Sequence, residues 1–197
     1  NDRGHLMNEP FETNAHHLVL GQLNDFLTGA VIADTLDERY RQKLAKKLVM
    51  DKGYDAADIL SNQILEIRAG EKAGTVRVDF LVQMAGKLVI LIKYAPGSLV
   101  TRRLSTLALS RLVRPYQIPL VVVTNGEDAE LLDGHTGCLT AEGLAQLPAK
   151  SELETMMADI PFKSIPNGLY EKASRIAYAC EIDGACPCDT DVCVMSD

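Results

Sequence analysis

Asp79 and Lys93 lie in VRVDFLVQMAGKLVILIKYAPG (residues 76–97), an acid early in one apolar run and an amine at the end of the next. The chemistry that uses such a pair is metal-assisted phosphodiester hydrolysis. A divalent cation polarises the phosphate and lowers the pKa of a water, while a fixed cation steadies the developing charge. Magnesium takes hard oxygen ligands, typically one or two carboxylates with waters and phosphate in the remaining positions. A compact solution places an aspartate on one strand of a hairpin and a glutamate and a lysine two residues apart on the other. Both of the latter side chains then leave the same face. Here the residue two before the lysine is Leu91, so the stretch reads Leu91-Ile92-Lys93. Simpler readings stand beside this one: Asp79 paired with Lys93 or Arg77, and Lys93 snorkelling from a strand exit.

A second group of chemically able residues closes the chain. Four of the five cysteines fall in a short tail, Cys180-x5-Cys186-x-Cys188-x4-Cys193. Four thiolates at this density can ring a zinc ion or an iron–sulfur cluster. No CxxC knuckle is present, and Cys186-Pro187-Cys188 is tight for tetrahedral placement, so disulfides and a tail of reduced thiols stay open. The histidines have no supporting spacing, and Gly126, Gly134 and Gly137 read as turns, not as a phosphate loop.

A third feature is charge distribution. The net charge is −7, which argues against nucleic-acid binding by the whole surface. Yet no Asp or Glu occurs between Phe80 and Gly126, where Lys87, Lys93, Arg102, Arg103, Arg111 and Arg114 all lie. That segment is either an anion-facing surface or a solvated basic face.

These residues need elements to position them. His16–Ile32 has apolar residues at helical spacing. TLDERYRQKLAKKLVMDKGY predicts a helix with Thr35 and Glu38 as a capping box, a Leu36/Tyr40/Leu44/Leu48 stripe and a stop at Gly53. Strands are expected near Ile64–Ile67, over Val76–Met84 and over Lys87–Lys93, with Ala85-Gly86 turning the last two. A helix from Ser98 to about Arg114 then crosses over, with Leu104, Leu107, Ala108 and Leu112 inward, to a buried strand in IPLVVVT. AELLD makes one more strand, and KSELETMMADI and LYEKASRIAYAC make helices. The order predicts an α/β fold, a mixed sheet flanked by helices, in three segments: 1–34 helical, 35–147 core, and 148–197 C-terminal helices with the cysteine tail. The composition is that of a soluble globular protein, and neither a membrane span nor a signal peptide is expected, which places the protein in the cytoplasm.

Across residues 35–133, the block ERYRQKL … VRVDFLVQMAGKLVILIKYAPG … RLSTLALSRLVRPYQIPLVVVTNG resembles the N-terminal nuclease domain of type I restriction enzyme R subunits. That domain is part of the PD-(D/E)xK, restriction endonuclease-like superfamily. The resemblance implies that Glu38, Asp79 and Lys93 surround a Mg²⁺ ion and that DNA is the partner, within a restriction, defence or repair assembly. It also implies a glutamate at 91 and a glutamine near 105, where this chain has Leu91 and Ser105. Residues 98–114 hold no carboxylate to replace the missing one, so a replacement comes from elsewhere if at all, for instance from Glu66 on the neighbouring strand. No GxxxxGK[ST] phosphate loop for a translocating motor is present. The expectation is a nuclease-fold DNA-binding domain with weakened or lost cleavage, contacting DNA through Arg102, Arg103, Arg111 and Arg114. The alternative is a protein-interaction or redox- and metal-sensing module that uses the cysteine tail on an inactive scaffold.

Overall fold

The computed structural model describes residues 18–183. Its centre is set by three apolar runs that satisfy one another's backbone groups. Strands β3 (Ile59–Ala69), β4 (Lys72–Met84) and β5 (Lys87–Tyr94) form an antiparallel meander. Ala85 and Gly86 turn β4 into β5 with φ of 48° and 76°, the two positive values that a two-residue hairpin turn demands. The chain then crosses over through α2 (Arg103–Ser110) to β6 (Leu120–Thr124), which pairs in parallel with β5. β7 (Ala129–Asp133) and β8 (Leu139–Glu142) complete a six-stranded sheet in simple sequence order, β3 to β8. β5 and β6 are buried on both faces, as continuous Val/Ile/Leu runs at a parallel pairing require.

Two apolar layers cover the sheet. On one face α1 (Leu36–Lys46) brings Leu44 and Ala45, its continuation brings Leu48, and α3 (Lys150–Met157) brings Leu153, against Phe80, Val82, Ile90, Ile92 and Val122. On the other, α2 and α4 (Asn167–Tyr178) bring Leu107, Ala108, Ala173 and Ala177 against Val76, Val78, Leu91 and Val121. The helices expected after Pro148 therefore form, and they complete both cores.

Several elements differ from the sequence reading. Residues 21–34 are a hairpin, β1 (Gly21–Asn24) with β2 (Val31–Asp34), and not the expected helix. The Asp25 carboxylate accepts the N–H groups of Leu27 (3.1 Å) and Thr28 (2.7 Å), and Gly29 takes φ 73°, so local side-chain bonding turns the chain where apolar spacing predicts a helix. α2 is shorter than Ser98–Arg114, because a separate tight turn at Val100–Arg102 precedes it and Arg111 ends it. Leu104 consequently points to solvent. β3 runs well beyond Ile64–Ile67 in both directions, and β8 is an addition.

One local irregularity matters for the site. Val76 and Val78 face the α2/α4 layer, whereas Phe80 and Val82 face the α1 layer, so β4 changes faces at Asp79. Across from it, Asn62 in β3 takes φ 52°, and the pairing passes from Gln63–Val78 to Ser61–Phe80 without a register shift. The β4–β5 ladder stops at Phe80–Ile92. Asp79 thus stands where strand pairing ends and its side chain can take over a backbone partner.

Candidate nuclease-type site

The site begins with that switch. Asp79 has no solvent exposure, and its Oδ2 accepts the backbone N–H of Tyr94 at 2.8 Å. Its Oδ1 accepts Nε of Arg41 at 2.6 Å. Arg41 reaches there because α1 starts at an N-cap, where Thr35 Oγ1 accepts the N–H of Glu38 at 3.1 Å, and lays Glu38, Arg41, Gln42 and Ala45 along one inward face. The guanidinium lies 5.0 Å from the centre of the Tyr94 ring, and its Nη1 is 3.5 Å from Glu38 Oε2.

The polar chain continues in both directions. Gln42 donates from Nε2 to Glu38 Oε1 (2.9 Å) and to Asp25 Oδ2 (2.8 Å), and its Oε1 accepts the N–H of Phe26 (2.6 Å). This ties the β1–β2 turn to the site. Burial alone would raise the Asp25 carboxyl, but hydrogen bonds from Gln42, Thr28 and Leu27 hold it below its ordinary value. On the other side Lys93 Nζ donates to the Arg77 carbonyl at 2.9 Å. It lies 3.8 Å from both Asp79 Oδ2 and Glu181 Oε2. Burial, then the hydrogen bond to Asp37, pushes the Tyr94 phenol well above its ordinary range.

The structure brings Glu38, Asp79 and Lys93 together, but around an arginine. Every Mg²⁺ ligand must offer an oxygen lone pair to the metal. Asp79 is fully buried with Arg41 at 2.6 Å and Arg77 and Lys93 each at 3.8 Å, so three cations already surround its oxygens, and Glu38 faces the same Arg41 guanidinium. Leu91, fully buried opposite Leu81 and Val121, packs in the α2/α4 core. Glu66 is exposed and pairs with Thr75, four residues along β4 from Asp79, or roughly 13 Å at strand rise. Ser105 donates to the Arg102 carbonyl of its own segment. These residues do not fit a magnesium ion while Arg41 holds its place, and among the described residues no cluster of three or more His, Cys, Asp or Glu has metal-binding geometry.

The basic segment is partly used internally. Arg103 makes a two-point ion pair with Glu130 on β7, at 2.5 and 2.7 Å. Arg111 is half-buried with an unpartnered Nε, and burial lowers its pKa. Arg102 has no ion pair among the described residues, and Arg114 is exposed. Of the tail cysteines, Cys180 is a free, exposed thiol, while Cys186, Cys188 and Cys193 lie outside the described residues.

The family model for the type I restriction enzyme R protein N terminus (HSDR_N) matches residues 36–148. The chain belongs to this family. No curated protein and no solved structure matches it. The family match begins at α1 and ends just past β8, so it takes in the whole sheet, the crossover and every residue of the nuclease-type position except Asp25 and Glu181. Among the described residues no helix is long and apolar enough to cross a membrane.

Arg41, Gln42, Tyr94, Asp25 and Glu181 are the site residues that sequence reasoning did not single out. For Arg41 and Gln42 a signal existed, since they stand three and four positions after Glu38 and share its helix face. Glu181 offered none, because its proximity to Lys93 depends on how α4 packs.

Proposed function

We propose that this domain binds DNA in the manner of a restriction R-protein N-terminal module but does not cleave it, its metal position being filled by the Arg41 guanidinium. The Arg41–Asp79 ion pair carries this reading. A nuclease of this type needs Asp79 free to hold a cation, and here a fixed internal cation already holds it. Leu91 removes the second carboxylate that would favour a metal over the arginine. Support for the DNA partner comes from the family and from the carboxylate-free stretch between Phe80 and Gly126, in which Arg102 is half-buried with no ion pair among the described residues and Arg114 is exposed. The setting that fits is a larger restriction-type assembly.

The test has two arms. Supercoiled plasmid incubated with the protein and Mg²⁺ or Mn²⁺ should stay intact; nicking that disappears in Asp79→Ala would defeat the non-cleaving part. Duplex affinity should fall as salt rises, because phosphate contacts release counterions. Binding that ignores salt, or no binding at low salt, defeats the DNA-binding part.

A further inference from the structure

α1 carries basic residues on a face other than the one that holds Asp79. At roughly 100° per residue, Arg39, Lys43 and Lys46 share one stripe, turned about a third of a circle from Glu38, Arg41 and Ala45. Gln42 lies between the two faces. Along this stripe runs a cleft of about 330 Å³ between the helix and β1, lined by Leu23, Asn24, Arg39, Gln42, Lys43 and Lys46. A second hollow of about 190 Å³ adjoins it on the far side of Lys43, lined by Lys43, Leu44, Lys47, Gly126 and Leu144. Lys43 therefore stands on the ridge between two hollows, the second of which touches the end of the carboxylate-free segment.

The charge there is unbalanced. Arg39 is paired with Asp34 (2.6 and 2.7 Å), and Lys47 with Asp51 (3.3 Å). Lys43 has no carboxylate partner among the described residues, and Lys46 only lies 6.0 Å from the Phe26 ring. The nearby Asp25 is committed to Gln42 and Thr28. In a chain of net charge −7, a hollow rimmed by two uncompensated ammonium groups is a local exception that draws anions. It has room for a phosphodiester and its sugar, and the exposed Asn24 side-chain amide on its wall is able to donate to a phosphate oxygen.

We propose that the Arg39/Lys43/Lys46 cleft of α1 is a contact for the phosphate backbone of duplex DNA, adjoining the nuclease-type position at Gln42 and additional to Arg102 and Arg114. This rests on the DNA-binding reading above and names a surface for it. It also gives the β1–β2 hairpin a role. Through Asp25, Gln42 and Phe26 the hairpin is fixed to α1 and forms the cleft's second wall.

Fluorescence anisotropy with a 20-base-pair duplex, over a series of salt concentrations, compares wild type with Lys43→Ala/Lys46→Ala and with Arg102→Ala/Arg114→Ala. Both lysines are exposed, and circular dichroism verifies that the variants fold. The expected result is that the lysine pair lowers the slope of log affinity against log salt by about 1.8, about 0.9 for each phosphate that is no longer neutralised. Amide shift changes on adding duplex should centre on residues 39–46. If wild type binds with normal salt dependence and the lysine variant matches it, the α1 surface is wrong and DNA binding stands. If wild type shows no salt-dependent binding, both readings fall. If inorganic tripolyphosphate shifts the 39–46 amides while duplex does not, the cleft is a small-anion site and the proposal is overturned.

Discussion

Arg41→Ala is the perturbation that most directly separates a filled site from a vacant one. In the folded protein it removes the charge 2.6 Å from Asp79 Oδ1 and leaves a carboxylate with no solvent exposure, hydrogen-bonded by the Tyr94 N–H and balanced only by the Lys93 and Arg77 cations, each 3.8 Å away. Removing one partner of a buried ion pair costs about 3–5 kcal/mol where the remaining charge is left uncompensated, which sets the upper bound here because Lys93 and Arg77 stay 3.8 Å from Asp79. The guanidinium also stacks near the Tyr94 ring, and removing that attraction adds about 0.5–1 kcal/mol or more. For a domain of this size 1 kcal/mol moves the midpoint by about 2–4 °C, so the ion-pair part alone sets a ceiling of roughly 6–20 °C on the fall in Tm. A cycle sharpens the result. Asp79→Asn keeps an oxygen for the Tyr94 N–H and removes the charge, so the double variant should cost less than the two singles together, by roughly 1–3 kcal/mol. The assay is chemical denaturation with and without millimolar Mn²⁺. If Arg41→Ala costs under about 1 kcal/mol, or if Mn²⁺ raises the wild-type midpoint by binding the native state, Asp79 is available to metal and the reasoning fails.

Two further outcomes follow from local geometry. The Asp25 carboxyl is held below its ordinary 3.8, so the stability it contributes is complete above that value and is lost as pH falls through the lowered folded value. Urea unfolding between pH 5 and 2.5 should show a steeper acid loss in wild type than in Asp25→Asn, and equal slopes would contradict the assignment. Gly126 turns β6 toward β7 at φ 91°, and a Cβ there would overlap the Tyr40 ring, so Gly126→Ala should lower the midpoint by the equivalent of about 1–3 kcal/mol. A thermal melt within error of wild type would refute the prediction, since the positive φ is strained for alanine even if Tyr40 moves aside.

The parts legible in sequence were those in which local pattern and burial agree. LVILI and LVVV are apolar at every position because both faces of β5 and β6 are covered, and Ala85-Gly86 marks the turn between β4 and β5. That Glu38, Asp79 and Lys93 come together was legible through the family resemblance, of which the Asp79–Lys93 spacing is one part. β1 and β2 were not, since an Asp25 side chain that captures two backbone N–H groups outweighs six apolar residues at helical intervals. β8 was missed for the opposite reason. LTAE is mostly exposed and carries no periodic signal, so its strand state comes from pairing with β7. The cation of the site was hidden because Arg41 and Asp79 meet only after α1 packs on the sheet, 38 residues apart in the chain.

Leu91 and Arg41 are best understood together. Two strand carboxylates facing one face of a hairpin repel each other and need a divalent charge between them. With leucine at 91 one of those charges is gone, and the position can join the α2/α4 core at no electrostatic cost. What remains near the switch in β4 is Asp79, for which a monovalent guanidinium is a matched partner and a divalent ion an excess. Glu38 then balances the second edge of Arg41, and Gln42 links Glu38 to the hairpin turn. Lys93 donates to the Arg77 carbonyl and lies between Asp79 and Glu181. Each of these contacts is satisfied within the chain, so the arrangement is stable without a ligand. Glu38, Asp79 and their partners thus brace helix, sheet and hairpin against one another.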